Sequence, residues 1–348
     1  MSKITRLARD NVNLDILDLF DKLARDAELS LTDESCSEEF VERIRVGFEA
    51  TKSHEATLYG RRAESMFGYV AASLGQCSLI KKEDAGEIYV DDMDVLVPDY
   101  RIHLKDNKMF FVEVKNVHAS SATFKWSCKA EIIEKLVKYA QIFNTECKIA
   151  LYWSRWNHWM LFPIDKLHLN GQGKCEISFA EAAKASEMSI LGDVMLGTTP
   201  PLSIRFQADQ TKPRYVDNDG KCQFTISGID LYCGSKLIRD SAECQLAFYL
   251  ILFGDWPIGE PTAHIESSNL SYIELVAAPE KTVPNQGFEI IGSLSKIISS
   301  QYRNLTAEDK QLIRLSPSAQ PGSLGIFIPA SYKGIDLKLW QFHVTPSL

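Results

Sequence analysis

Asp99, Glu113 and Lys115 have the residue types and the spacing to act on a phosphodiester with the help of a divalent cation. The segment from Val90 to Asn116 reads VDDMDVLVPDYRIHLKDNKMFFVEVKN, an apolar run holding Pro98-Asp99, a Lys-Asp-Asn-Lys turn, and a second apolar run interrupted only by Glu113 and Lys115. Apolar runs of this length on either side of a turn predict two antiparallel strands. A charge placed inside a sheet is costly unless it is paired or binds a metal. Oxygen ligands from Asp99 and Glu113 suit a hard cation such as Mg²⁺, which keeps several waters and takes only one or two protein carboxylates. Mn²⁺ is the expected substitute, and Lys115 would lie beside the bound phosphate.

Pairing the strands about Asp106-Asn107 sets Leu104 against Met109 and Asp99 against Val114. That register puts Asp99 and Glu113 on opposite faces of a regular ladder. A bulge or a one-residue offset is therefore expected, and Pro98, which has no N–H to give to a ladder, is the kind of residue found at such irregularities. Asp94 is the competing carboxylate, but it lies further along the strand and past the reach of Lys115.

The elements around this pair are helical upstream and alternate downstream. In YGRRAESMFGYVAASLG, Ala63, Phe67, Val70 and Leu74 fall along one side of a helix that Gly75 stops. Cys77 to Ile80 gives a short strand, AEIIEKLVKYAQIF places Ile132, Leu136, Tyr139 and Phe143 at helical spacing, and KIALYW follows as a buried strand. Pro98-Asp99 with Glu113-Val114-Lys115 in the order helix, strand, strand, strand, helix, strand resembles the PD-(D/E)xK nuclease superfamily, which includes restriction endonucleases and archaeal Holliday junction resolvases. The resemblance covers roughly residues 58 to 167.

It implies an α/β, restriction-endonuclease-like core of order αβββαβ, a mixed sheet flanked by helices. It also implies metal-assisted phosphodiester hydrolysis, with Asp99 and Glu113 holding the metal and Lys115 positioning or helping to deprotonate a water. Glu64 occupies the place of an acid that the superfamily often carries on its first core helix, and there it would complete the metal site. Read from charge pattern alone, Glu64 is equally a solvated helix charge paired with Arg61 or Arg62. Lys125, Lys129, Lys135, Tyr139 and Gln141 are the expected contacts to a nucleic-acid backbone.

With 348 residues and 45% hydrophobic content, the chain has material for about two domains. The expected divisions are an acidic helical segment over 1–57, the nuclease-like domain over 58–168, a connection over 169–213 in which Thr199-Pro200-Pro201 opens an extended stretch, and an α+β domain over 214–348. In that last part FTISGIDLYC reads as strand-turn-strand, SAECQLAFYLILF as a helix apolar on nearly every face, and Thr306 as the N-cap of a further helix. LGIFIP and LKLWQF read as closing strands.

The eight cysteines show no zinc spacing, so reduced thiols in a soluble cytoplasmic protein are expected, with no membrane segment and no signal peptide about Lys3, Arg6 and Arg9. The net charge of −8 argues against a polyanion ligand. Lys125, Lys129, Lys135, Lys138, Lys148 and Arg155 nevertheless concentrate positive charge after Lys115, and Trp126, Trp153 and Trp156 among them could offer stacking platforms.

The reading that results is a Mg²⁺-dependent nuclease on DNA rather than RNA, in a restriction or phage-defence setting, forming a homodimer or larger oligomer and docking to an ATPase or helicase. A nuclease-fold scaffold without activity is the alternative from another class. A junction resolvase or transposon-end nuclease shares the chemistry and differs in substrate shape.

Overall fold

The computed structural model of the chain describes residues 4–7, 12–27, 29–83, 88–91, 93–217, 219–309, 311–329 and 331–346. Lys3 and Arg9, part of the expected N-terminal charge pattern, lie outside these. Three helices come first, α1 (Val12–Ala27), α2 (Cys36–Lys52) and α3 (Glu55–Leu74). In α3 the apolar periodicity becomes a buried stripe through Ala63, Phe67, Val70 and Leu74. The helix starts where the His54 side chain accepts the Thr57 N–H and stops at Gly75, whose φ of 87° is cheap only without a Cβ.

Strands β1 (Cys77–Lys82), β2 (Tyr100–Leu104), β3 (Met109–Val117), β5 (Cys147–Trp153) and β6 (His158–Pro163) form a sheet in the order β1-β2-β3-β5-β6. Only β3 and β5 run parallel, joined by β4 (Lys125–Lys129) and α4 (Ala130–Ile142), so the sheet is mixed. The α3-β1-β2-β3-α4-β5 order is the expected αβββαβ core, with β4 set apart in a small sheet with β7 (His168–Leu169) and β8 (Lys174–Ser178). Side chains of β3 alternate between two cores. Phe110, Val112 and Val114 pack toward α3, whereas Phe111 and Val117 pack toward α4 with Leu136, Ile149 and Trp153.

After α5 (Phe179–Lys184) and β9 (Met195–Thr198), β10 (Leu202–Ala208) enters a second sheet. Leu202–Ala208 lies in the stretch expected as a connection, yet it is the central strand of a five-stranded sheet. Its partners follow the short pair β11 (Tyr215–Val216) and β12 (Cys222–Gln223), and are β13 (Ile226–Cys233), β14 (Lys236–Ile238), β15 (Thr262–Glu266) and β16 (Asn269–Ala277). FTISGIDLYC is thus one strand, β13, instead of strand-turn-strand. Helix α6 (Ser241–Phe253) covers this sheet through Leu246, Ala247, Leu250 and Ile251.

Then come β17 (Glu289–Ser293), α7 (Leu294–Thr306), a small hairpin of β18 (Ala307–Glu308) and β19 (Gln311–Leu312), and β20 (Leu339–Phe342). Thr306 is the last residue of α7 instead of opening a helix, and its hydroxyl donates back to the Tyr302 carbonyl at 2.8 Å. Of the two closing segments only LKLWQF contributes a strand.

Helix α7 joins the first core. Ile298 and Tyr302 share a buried cluster with Phe67, Val112 and Trp159, the Trp159 Nε1–H donates to Ser299 Oγ at 2.9 Å, and Asn157 Nδ2 donates to the Lys296 carbonyl at 3.0 Å. Packing around the nuclease-like sheet therefore does not end at residue 168.

A second long-range tie is ionic. The buried carboxylate of Glu243, in the first turn of α6, accepts the N–H groups of Ile335, Asp336 and Leu337 at 2.6, 2.8 and 2.7 Å. Glu243→Ala leaves three donors without their acceptor and should cost about 3 kcal/mol. Urea unfolding should show a lower midpoint, with Glu243→Gln between the two; an unchanged midpoint would show that water replaces the carboxylate.

Candidate metal and phosphodiester site

The β2–β3 hairpin decides whether the acids meet. Tyr100 pairs with Val112, Ile102 with Phe110 and His103 with Met109, one residue away from the register expected about Asp106-Asn107. Continued by one step, that register sets Asp99 across from Glu113. The offset arises in the turn. Leu104 N–H donates to the Lys108 carbonyl at 2.8 Å, enclosing a three-residue loop whose last member, Asn107, has φ 68°. This is the hairpin form with a left-handed third residue, a conformation asparagine tolerates. No bulge at Pro98 is needed.

Asp99 is fixed from below by the Val114 N–H, which donates to its Oδ2 at 2.7 Å. Glu113 is 6% exposed and forms an ion pair with Lys115, two residues on along the same face of β3. Burial pushes the Asp99 carboxyl up to about 7, and the Glu113 charge adds to this against the Val114 N–H and Lys115. Lys115 is raised as well, but in its case that favours the charged form. Burial works against its charge, but Glu113, through Coulombic attraction and a hydrogen bond, together with Asp99, outweighs that and raises its pKa. The three expected residues thus converge, with more negative charge around Asp99 than Lys115 neutralises.

That imbalance tests the fit of a divalent cation. Two hard oxygen donors stand side by side at the end of a strand, and one of them is held in a field that favours taking up positive charge, which suits Mg²⁺ or Mn²⁺. Glu64 stands differently. Its buried carboxylate pairs with Lys82 at 2.6 Å and Arg61 at 3.0 Å, and it reaches Asp99 only as a further source of negative potential. Among the described residues no three His, Cys, Asp or Glu side chains gather closely enough to hold an ion. Asp94 is exposed and paired with Lys135 at 2.9 Å, away from Lys115.

The expected backbone contacts do not gather at the site. Lys125 pairs with Glu176 at 2.7 Å and Lys135 with Glu131 at 2.6 Å as well as with Asp94. Lys129 is the exposed residue preceding α4, and Gln141 is exposed near its end. Tyr139 is buried, its ring 5.2 Å from that of Phe111 and 5.3 Å from that of Phe143, so it is part of the core. Trp153 is fully buried against Trp156 and Phe179 and offers no stacking platform.

What does face Asp99 and Lys115 is a cleft of about 980 Å³ between α3, the ends of β3 and β5, and α7. Arg61, Arg62, Arg155 and Arg303 line it together with Lys115, against the acids Glu55, Glu64 and Asp99. The overall charge of −8 is therefore not the charge of this cleft. Asn116 and His118 also line it, and the Asn116 Oδ1 is buried with no hydrogen-bond partner among the described residues. Neither residue was picked out by sequence pattern, although Asn116 directly follows Lys115. Arg303 enters from α7, and no local signal pointed to it.

Asp99, Glu113 and Lys115 converge at the end of a mixed α/β sheet whose αβββαβ order is similar to that of PD-(D/E)xK nucleases. Residues 86–194 match the family model of the archaeal Holliday junction resolvases, Hjc. Among solved structures, Hjc of Archaeoglobus fulgidus, described as a Holliday junction resolvase from an archaeal hyperthermophile, is 19% identical, with 32% of this chain and 84% of that chain covered and a TM-score of 0.26. No curated protein matches the chain. No helix among the described residues is long and apolar enough to cross a membrane.

Proposed function

We propose that this protein is a divalent-metal-dependent nuclease that hydrolyses phosphodiester bonds in DNA. The observation that carries the reading is the hairpin register that brings Asp99 beside Glu113, with Lys115 ion-paired to Glu113 and with Asp99 and Lys115 lining an arginine-bearing cleft. A Mg²⁺ or Mn²⁺ ion held by Asp99 and Glu113 would supply Lewis-acid polarisation of the phosphate and a more acidic water.

The chain's own residues do the rest. The Val114 N–H orients the Asp99 carboxylate, leaving its second oxygen available. Lys115 is held as an ammonium by its acidic neighbours, so it acts as a donor to the phosphate oxygens and stabilises charge that develops there, in preference to taking a proton from water. The cleft arginines neutralise the strand on either side. Glu64 keeps Arg61 and Lys82 in place and shapes the field at Asp99.

The match of residues 86–194 to the resolvase model favours branched DNA as a second reading of the substrate. A restriction or phage-defence setting and a cytoplasmic location belong to the same proposal. So does an oligomeric active form, supported by Phe248 and Leu252 on α6, which are 42% and 45% exposed. Incubation with supercoiled, linear, branched and single-stranded DNA, and with RNA, in Mg²⁺, Mn²⁺ or EDTA tests the activity, its metal dependence and the substrate. Cut DNA is expected with either metal and none in EDTA. DNA binding that ignores metal and gives no product would favour the scaffold reading instead.

A further inference from the structure

Arg62 and Arg303 face the same cleft from two elements far apart in sequence, and among the described residues neither has a carboxylate within ion-pair distance. Arg62, on α3, is tied by uncharged groups alone. Its Nε and Nη2 donate to Thr306 Oγ1 at 3.2 and 2.8 Å, and Nη2 also reaches the Arg303 carbonyl at 3.3 Å. Arg303, on α7, lines the cleft beside Tyr152, whose hydroxyl donates to Asn157 Oδ1 at 2.7 Å. Burial lowers the pKa of Arg62, and the like charge of Arg303 lowers it further.

Two guanidinium groups brought together, partly desolvated and lacking a protein anion, are an unfavourable arrangement in the free chain. Arg62 is held by a hydroxyl and a carbonyl of α7, so the pair cannot spread apart without breaking that α3–α7 contact. The Arg62 Nη1 bonds to nothing in the protein among the described residues, which leaves a donor for a ligand. Guanidinium forks match phosphate oxygens in geometry and charge better than any other side chain.

We infer that Arg62 and Arg303 form a second phosphate subsite in the cleft, gripping a backbone phosphate of the strand whose neighbouring phosphodiester lies at Asp99, Glu113 and Lys115. The inference rests on the nuclease reading and deepens it. It gives α7, which lies outside the residues matched by the resolvase model, a share in substrate binding, and it makes the C-terminal part of the chain a component of the cleft wall.

The test is fluorescence anisotropy of a labelled DNA duplex with the full-length chain in EDTA, over a series of NaCl concentrations, followed by cleavage kinetics in Mg²⁺. Arg303→Gln is the main variant, since it retains the main-chain carbonyl that Arg62 uses; Arg62→Gln is the second, and Arg43→Gln on α2 is the charge control. The expectation for Arg303→Gln is about tenfold weaker binding, a slope of log K against log salt reduced by about 1, and a higher KM with kcat little changed. Arg43→Gln should behave as wild type. If Arg62→Gln fails to fold, Arg303→Gln still decides the matter. Wild-type affinity and salt slope in a folded Arg303→Gln would overturn the subsite and leave the nuclease reading standing. A wild-type chain that binds no DNA at any salt concentration would overturn both.

Discussion

Lys115→Ala is expected to lower kcat for DNA cleavage by about 10²–10³-fold, the loss usual for removing one donor that stabilises developing charge. DNA affinity should change far less, because the ammonium is one of several cations on the cleft wall. The variant also leaves Glu113, 6% exposed, without its ion-pair partner. Lys115 is itself 40% exposed, so solvent screens much of that pairing and the stability cost should stay near about 1 kcal/mol. Thermal unfolding of the same sample thus separates a dead site from an unfolded one. Lys115→Arg sharpens the point, for it keeps the charge and changes the shape of the donor. If a compact ammonium is what the phosphate needs, Lys115→Arg should bind DNA as wild type does and still cleave slowly. Cleavage by Lys115→Ala at the wild-type rate would remove Lys115 from the chemistry.

The parts of this site that are local in sequence were legible, and those that depend on distant packing were not. Helix α3 and its end at Gly75 follow from apolar spacing and one glycine. The charged pair Glu113 and Lys115 stood out because it broke an apolar strand. The one-residue offset was expected because Asp99 and Glu113 would otherwise face apart, but its source is an asparagine at the third loop position and not Pro98. Trp153 misled for a structural reason. The parallel strand β5 is buried along its whole length, so an aromatic residue there fills the core even when lysines and arginines are close in sequence. Leu202–Ala208 looked like a connection because two prolines precede it, although it alternates in the manner of a strand. Arg303 was invisible for the plainest reason, that nothing near it in the chain speaks of a cleft formed with α3.

The second large effect concerns stability and metal together. Asp99→Asn should abolish cleavage and at the same time make the metal-free protein more stable. In the folded chain, burial and Glu113 raise the Asp99 carboxyl to about 7, against an ordinary carboxylate near 3.9 in the unfolded chain. The sign follows from which state takes up protons. Below about pH 4 the group is neutral in both states and costs nothing. As pH rises toward 7 the unfolded chain ionises first, which favours unfolding, and above 7 the penalty is constant at about 4 kcal/mol. Metal-free wild type should therefore lose stability between about pH 4 and pH 7, and Asp99→Asn should lack that component and show a higher Tm at pH 8. A bound cation acts in the opposite direction by stabilising only the folded state. Adding Mg²⁺ or Ca²⁺ should raise the wild-type Tm at pH 8 and leave that of Asp99→Asn almost unchanged. Thermal melts of both proteins at pH 5 and pH 8, in EDTA and in each metal, give the comparison directly. A Tm that responds equally to metal in the two proteins would place the ion elsewhere, and the strand-end acids would then need another explanation for being buried side by side.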